Sequence, residues 1–200
     1  VISKIGHLLL TIYLARNLGP EGLGLFTLAI GVALVVGTAI GLGIPAITVR
    51  FWVIYKDLKQ YRLLKGFLVG GAGAIFLVSI PVILIGFCAP YFIDIQDSEK
   101  LYAVQVGLIL APLLSIRKLY RRLFVAEEKV VYGILLDEVV IPYSFIGAAF
   151  LLISLNFVES LQNYFYLYIG ICVLIFLFGT IFLLRYLKIN VFSESLPHSG

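Results

Sequence analysis

Polar residues in this chain come in short clusters, separated by long runs in which almost every side chain is apolar. Residues 23–49, 66–93, 139–158 and 160–184 carry no charge at all. Residues 101–116 form a shorter run that continues through Leu119, Tyr120, Leu123 and Phe124, and residues 1–18 form one interrupted by Lys4. A helix needs about 20 apolar residues to cross a hydrocarbon core about 30 Å thick. The pattern therefore predicts an all-α polytopic membrane protein with six transmembrane helices, at about 1–18, 23–49, 66–93, 101–124, 130–158 and 160–187, and a polar tail over 191–200.

The connections are of two kinds. Residues 17–22 (NLGPEG) read as a tight turn, because Pro20 cannot extend a helix and the glycines supply backbone freedom. Asp94, Asp97 and Glu99 make the third connection acidic, and Glu159 marks the fifth. All but Arg16 and Lys100 of the chain's 15 Lys and Arg residues fall at the remaining connections and ends. Cationic loops are retained on the cytoplasmic side during insertion, so both termini are expected there and the protein in a cell membrane.

Residues 51–65 (FWVIYKDLKQYRLLK) mix aromatic and basic side chains and suit an amphipathic helix at the inner interface. Gly37 and Gly41, and again Gly66 and Gly70, have the four-residue spacing that lets helix backbones approach closely in lipid. Pro45 and Pro81 each remove a helical hydrogen bond, so kinks are expected at both.

Composition agrees. The chain is 62% hydrophobic and 13% charged, whereas soluble domains average about a quarter charged residues, so lipid must be the outer solvent. The net charge of +4 then reflects basic loops at an anionic leaflet, not a nucleic-acid partner. Cys88 and Cys172 lie within apolar runs and read as packing residues. With His7 and His198 the only histidines, no metal-ligand spacing exists. The chain lacks methionine and opens inside an apolar stretch, so it reads as a piece of a longer protein.

The densest local chemistry lies in residues 115–140 (SIRKLYRRLFVAEEKVVYGILLDEVV). Arg117 and Arg121, and Lys118 and Arg122, are each one helical turn apart and share a broad face. If the chain reverses near Glu127 and Glu128, Arg117 and Lys118 come opposite Asp137 and Glu138. An unpaired carboxylate in the bilayer costs a few kcal/mol. Asp137 or Glu138 is thus expected to pair with Arg117 or Lys118. That leaves Arg121 and Arg122 for an anionic ligand, since the planar guanidinium matches phosphate. Arg16 and Arg50 end helices, where snorkelling explains them unless they face a cavity.

The segments LARNLGPEGLGLF (residues 14–26) and GLGIPAITVRF (residues 41–51) resemble those of the polysaccharide and lipid-linked oligosaccharide flippases, in the superfamily that also contains the MATE exporters. The resemblance implies one lobe of a two-lobed transporter, with the C-terminal half missing here. It implies transport of a polyprenyl-phosphate- or pyrophosphate-linked saccharide without a cofactor, and arginines, Arg16 and Arg50 by position, that hold the phosphate. Two other functions compete. A cation-coupled drug exporter would need cavity-facing carboxylates, for which Asp137 and Glu138 are the candidates. A membrane-embedded enzyme would need a catalytic constellation, and the sequence offers no serine–histidine or paired-carboxylate motif.

Overall fold

The computed structural model describes residues 2–88, 97–127, 139–154 and 160–193, and these are helical apart from short turns. Among the described residues six helical elements follow in order: α1 (Ile2–Ile40), α2 (Ile44–Asp57), α3 (Tyr61–Cys88), α4 (Ser98–Ala126), α5 (Ile141–Ser154) and α6 (Leu161–Ser193). Among the described residues four helices are long and apolar enough to cross a membrane, spanning Lys4–Ile40, Arg62–Cys88, Ser98–Ala126 and Leu161–Ile181; Ile141–Leu151 is a shorter apolar helix. The described residues thus form a helical protein of membrane-spanning character. Asp137 and Glu138 lie outside the described residues, as does most of the expected polar tail.

α1 is two helices that fold back on each other, since Gly6 lies beside Tyr143 and Phe26, twenty residues further on, packs against Phe145. At Gly19 the backbone turns to φ 71°, ψ 178°, a region essentially closed to residues with a Cβ. Pro20 then opens the next helical stretch, where its missing N–H costs nothing. The turn expected over residues 17–22 is therefore real but shrinks to a single glycine.

The helix expected over 23–49 is cut short. α1 stops at Ile40, and Leu42 (φ 48°) and Gly43 (φ 72°) adopt left-handed backbone before α2 begins. Pro45 occupies the first turn of α2, where a proline is tolerated. The kink expected at Pro45 is thus a full break. The expected interfacial helix over 51–65 is also divided, between the end of α2 and the start of α3, with Lys59 (φ 56°) in the turn between them. α3 by contrast runs helically through Pro81.

α4 is the organising element, the most buried of the apolar helices. Its most extensive partner is the second part of α1. Ala29, Ala33 and Gly37 on α1 and Gly41 in the turn that follows it recur every fourth residue, and Ala103, Gly107, Ala111 and Ser115 do the same on α4; all eight are buried. The backbones meet there. A Cβ at Gly107 would lie 2.6 Å from the Ala29 carbonyl oxygen, and one at Gly37 would lie 2.7 Å from that of Ala111. In lipid, where apolar surface alone does not drive association, such close packing is what holds helices together. Gly66 and Gly70 do not share this role, since a Cβ at either meets nothing within 4 Å.

The contacts also give the helix directions. Along α1 and α4 the contacts advance together, Gly37 beside Ala111 and Gly41 beside Ser115, so these two run parallel. α3 is antiparallel to α4, with Leu64 and Leu68 beside Leu123, and Gly86 beside Leu108. α6 is parallel to α4, with Phe165 against Tyr102 and Thr180 against Tyr120. The apolar centre is aromatic. Phe26 stacks on Phe165 at 5.5 Å and meets Tyr168 edge-on at 5.6 Å, with Phe145 at 5.8 Å. Each such pair contributes about 0.5–1.5 kcal/mol beyond burial.

Candidate functional site

Where α1 breaks, the α1–α4 seam opens. The parallel helices touch from Ala29 to Gly41, after which the left-handed turn at Leu42 and Gly43 carries the chain away from α4 before α2 returns to it. A cavity of about 450 Å³ fills the gap, within the range of small-molecule sites. Gly37, Thr38, Gly41, Gly43, Pro45 and Ala46 form one wall, and Ser115, Lys118, Arg121, Arg122 and Val125 of α4 form the other.

The cavity is cationic for a local reason. Lys118, Arg121 and Arg122 are spaced i, i+3, i+4 along α4, so they share the face turned to the break. Lys118 Nζ donates to Thr38 Oγ1 at 2.6 Å, and the Thr38 hydroxyl donates to the Leu34 carbonyl at 2.6 Å. This places an ammonium near the C-terminal, negative end of α1, a favourable position for a cation. The first turn of α2 contributes little to anion binding. Its Ile44 and Ala46 N–H groups already donate to the Gly41 and Gly43 carbonyls at 2.8 and 2.9 Å, and Pro45 has none to give.

One polar group on the wall has no partner. Ser115 is 0% exposed, and its hydroxyl makes no hydrogen bond. It faces Gly41, where a Cβ would stand 2.9 Å from Ser115 Oγ. Buried hydroxyls are nearly always satisfied, so an orphaned one beside a cavity calls for an explanation.

Beyond the cavity a polar clamp returns α2 to α4. Glu127, the C-cap of α4, accepts from the indole N–H of Trp52 at 2.5 Å and from Lys56 Nζ at 2.9 and 3.1 Å. Trp52 is buried against Leu64, Leu68 and Leu123. The basic segments expected in two separate connections, residues 50–65 and the described part, 117–127, of the second, therefore lie at one end of the bundle.

The sequence-predicted residues divide accordingly. Arg121, Arg122 and Lys118 line the cavity. Arg117 looks toward α6, lining a crevice with Tyr120, Cys172 and Phe176. Arg16 and Arg50 are exposed on α1 and α2, and neither lines the cavity. The expected pairing of Arg117 or Lys118 with Asp137 or Glu138 falls outside the described residues, and the described partner of Lys118 is Thr38. Sequence reasoning missed Ser115, Thr38 and the Glu127 clamp. The spacing of Ala103, Gly107, Ala111 and Ser115 on α4 was the available signal, since it continues the same small-residue pattern noticed on α1.

The fold and the cavity together define a class, a helical multi-pass membrane protein with a cation-lined opening at the basic end of its bundle. No protein-family model, curated protein or solved structure matches the chain.

Proposed function

We propose that this chain is a lobe of a membrane transporter that carries a phosphate-bearing amphiphile, a polyprenyl-linked saccharide, out of the cytoplasmic leaflet. The observation that carries the reading is the cavity where Lys118, Arg121 and Arg122 converge on a broken helix. Discontinuous helices and intramembrane cations recur where transporters bind charged substrates. Six crossings with both ends in the cytoplasm accord with the distribution of cations, and the alternating helix directions are what such a path requires. The basic end is then cytoplasmic, and the cavity opens where newly made lipid-linked sugars would reside.

Such a carrier performs no covalent step and needs no cofactor. The resemblance to oligosaccharide flippases supplies the saccharide, and the cation-lined cavity supplies the phosphate preference. The same cavity speaks against a cationic drug as cargo, since like charges repel there.

The test is transbilayer movement of a fluorescent polyprenyl-pyrophosphate saccharide in proteoliposomes. Two lost Arg contacts to phosphate should slow R121A/R122A about tenfold or more, at an unchanged level of inserted protein. Equal rates for variant and wild type, or no transport by the wild type, would remove the proposal.

A further inference from the structure

We infer that the corner between α2 and α3 is a docking surface for anionic lipid headgroups, held by Arg50, Arg62 and Lys65. The inference goes beyond the carrier reading and needs only the membrane-spanning character of the helices.

The part of α1 after Gly19, residues 20–40, is about 30 Å long at a rise of about 1.5 Å per residue, enough to cross the hydrocarbon core. α2 then continues in the same direction beside α4. Ile44 packs in the cluster with Ala111 and Ile116, Trp52 packs with Leu123, and Lys56 bonds to Glu127. α2 therefore begins where the hydrocarbon ends and lies at headgroup depth. The first turns of α3 share that depth, because Leu64 and Leu68 join the cluster of Trp52 and Leu123.

The charge at this depth is one-sided. Residues 44–65 carry five cations, Arg50, Lys56, Lys59, Arg62 and Lys65, against a single acid, Asp57, and all six side chains are exposed. Lys56 is answered by Glu127, and Lys59 is engaged as well. Arg50, Arg62 and Lys65 make no hydrogen bond or ion pair among the described residues. Exposed Ile47, Val53, Ile54, Leu58 and Leu63 stand among these cations. A nucleic acid or a soluble acidic protein would leave those apolar groups in water. At headgroup depth they reach the acyl boundary while the cations meet phosphate. Phosphatidylcholine also offers a phosphate, but its choline cancels the charge. A lipid of net negative charge is what three unpaired cations attract.

Trp52, the only tryptophan, is packed at this corner, so quenching of its emission by brominated acyl chains reports the lipids around it. The chain is reconstituted in phosphatidylcholine vesicles doped with either brominated phosphatidylglycerol or brominated phosphatidylcholine. At equal mole fraction the anionic lipid should occupy the corner about fivefold more, the attraction of one basic residue near a charged surface. R50Q/R62Q/K65Q should bring the two lipids to parity, with its thermal midpoint held because all three side chains are exposed. Lys100→Gln, a control at the other end of α4, should leave the preference intact. Wild type alone supplies a second measurement. Its preference should fall steeply in about 1 M salt, where the Debye length is about 3 Å. Equal quenching by the two lipids in wild type, a preference unchanged in the triple variant, or one unmoved by salt would each overturn the inference. Parity in wild type with inorganic pyrophosphate bound by these cations would assign them to a soluble anion and overturn it equally. A salt-sensitive preference for phosphatidylglycerol, in a protein that moves no saccharide, would sustain this surface and remove the carrier reading.

Discussion

α4 holds a carboxylate–lysine pair at each end, and the two pairs are alike in distance and unlike in consequence. At its start Asp97 meets Lys100 Nζ at 2.8 Å; at its end Glu127 meets Lys56 Nζ at 2.9 Å. The first pair is exposed and local, three residues apart, with 66% of the lysine side chain and 46% of the aspartate side chain open to solvent. The second joins two helices, and the Glu127 side chain is only 13% exposed. The helix dipole favours the first carboxylate and disfavours the second. Glu127 is nevertheless fixed in place because Trp52 and Lys56 both donate to it. Distance alone is a poor measure of an ion pair; what it connects and what surrounds it decide its weight.

The same contrast runs through the stretch between them. Near Ala103 and Gly107 the α1–α4 seam is closed by backbone contact and flanked by the aromatic cluster around Phe26. Past Ser115 the helices separate, and polar groups and the Trp52 cluster bring α2 back. Rigidity at one end leaves the other able to hold a cavity without losing the fold.

The largest expected effect comes from breaking the closed half. Gly107→Val places a branched side chain against the Ala29 carbonyl oxygen and the Val32 side chain, 2.6 and 2.9 Å from the new Cβ. Backbone cannot yield as a side-chain tip does, so overpacking should cost about 3 kcal/mol. Gly70→Ala, with nothing within 4 Å, should change stability by less than about 1 kcal/mol. Thermal unfolding in detergent, followed by circular dichroism, compares them. Equal midpoints for the two variants would mean that the seam does not hold the helices together.

The clamp at the open end comes next. Glu127→Ala removes a charged acceptor and leaves the indole N–H of Trp52, which is 2% exposed, without its partner. The expected loss is about 2 kcal/mol. Lys56→Ala should cost about 0.5 kcal/mol, because the lysine is 43% exposed and solvent screens its share. Trp52 is the only tryptophan, so its emission reports this corner alone. A red shift is expected in Glu127→Ala and little change in Lys56→Ala. Similar losses from both would show the ion pair, not the indole bond, to be the greater part.

How far the sequence reveals this contrast depends on the range of the interaction. Hydropathy is a sum over neighbouring residues, and it marked the chain as a helical protein of membrane-spanning character. Gly19 and Pro20 announced their break because a turn of that kind needs those two residue types together. The break at Leu42 and Gly43 was harder to see, since residues 23–49 are uncharged throughout and hydropathy is blind to backbone direction. Pro45 was the local signal, and it meant a helix start instead of a bend. The clamp was illegible because Trp52 and Lys56 stand 75 and 71 residues from Glu127, and no local rule links them. Gly37 and Gly41 could be read as a close approach, but Gly66 and Gly70 show that spacing alone names no partner. For the cavity, the shared face of Lys118, Arg121 and Arg122 follows from helical spacing, whereas the orphaned hydroxyl of Ser115 depends on the opposing helix.

The smallest effect belongs to the exposed pair at the start of α4. Asp97 accepts from the Lys100 ammonium at 2.8 Å and from the Lys100 backbone N–H at 3.2 Å, and these bonds, the ammonium first, hold its carboxyl below the usual 3.8. A carboxyl whose pKa is lower in the folded protein stabilises it fully above the usual value, and the contribution fades as pH falls through the depressed one. The cap should therefore be indifferent to pH near neutrality and weaken only in acid. Asp97→Asn keeps a capping oxygen but cannot titrate. The thermal midpoints of wild type and Asp97→Asn should differ near neutral pH and converge below the usual carboxylate range. A separation that stays constant down to the most acidic pH tolerated would mean that the charge on Asp97 contributes nothing. The two ends of α4 would then differ in kind as well as in size.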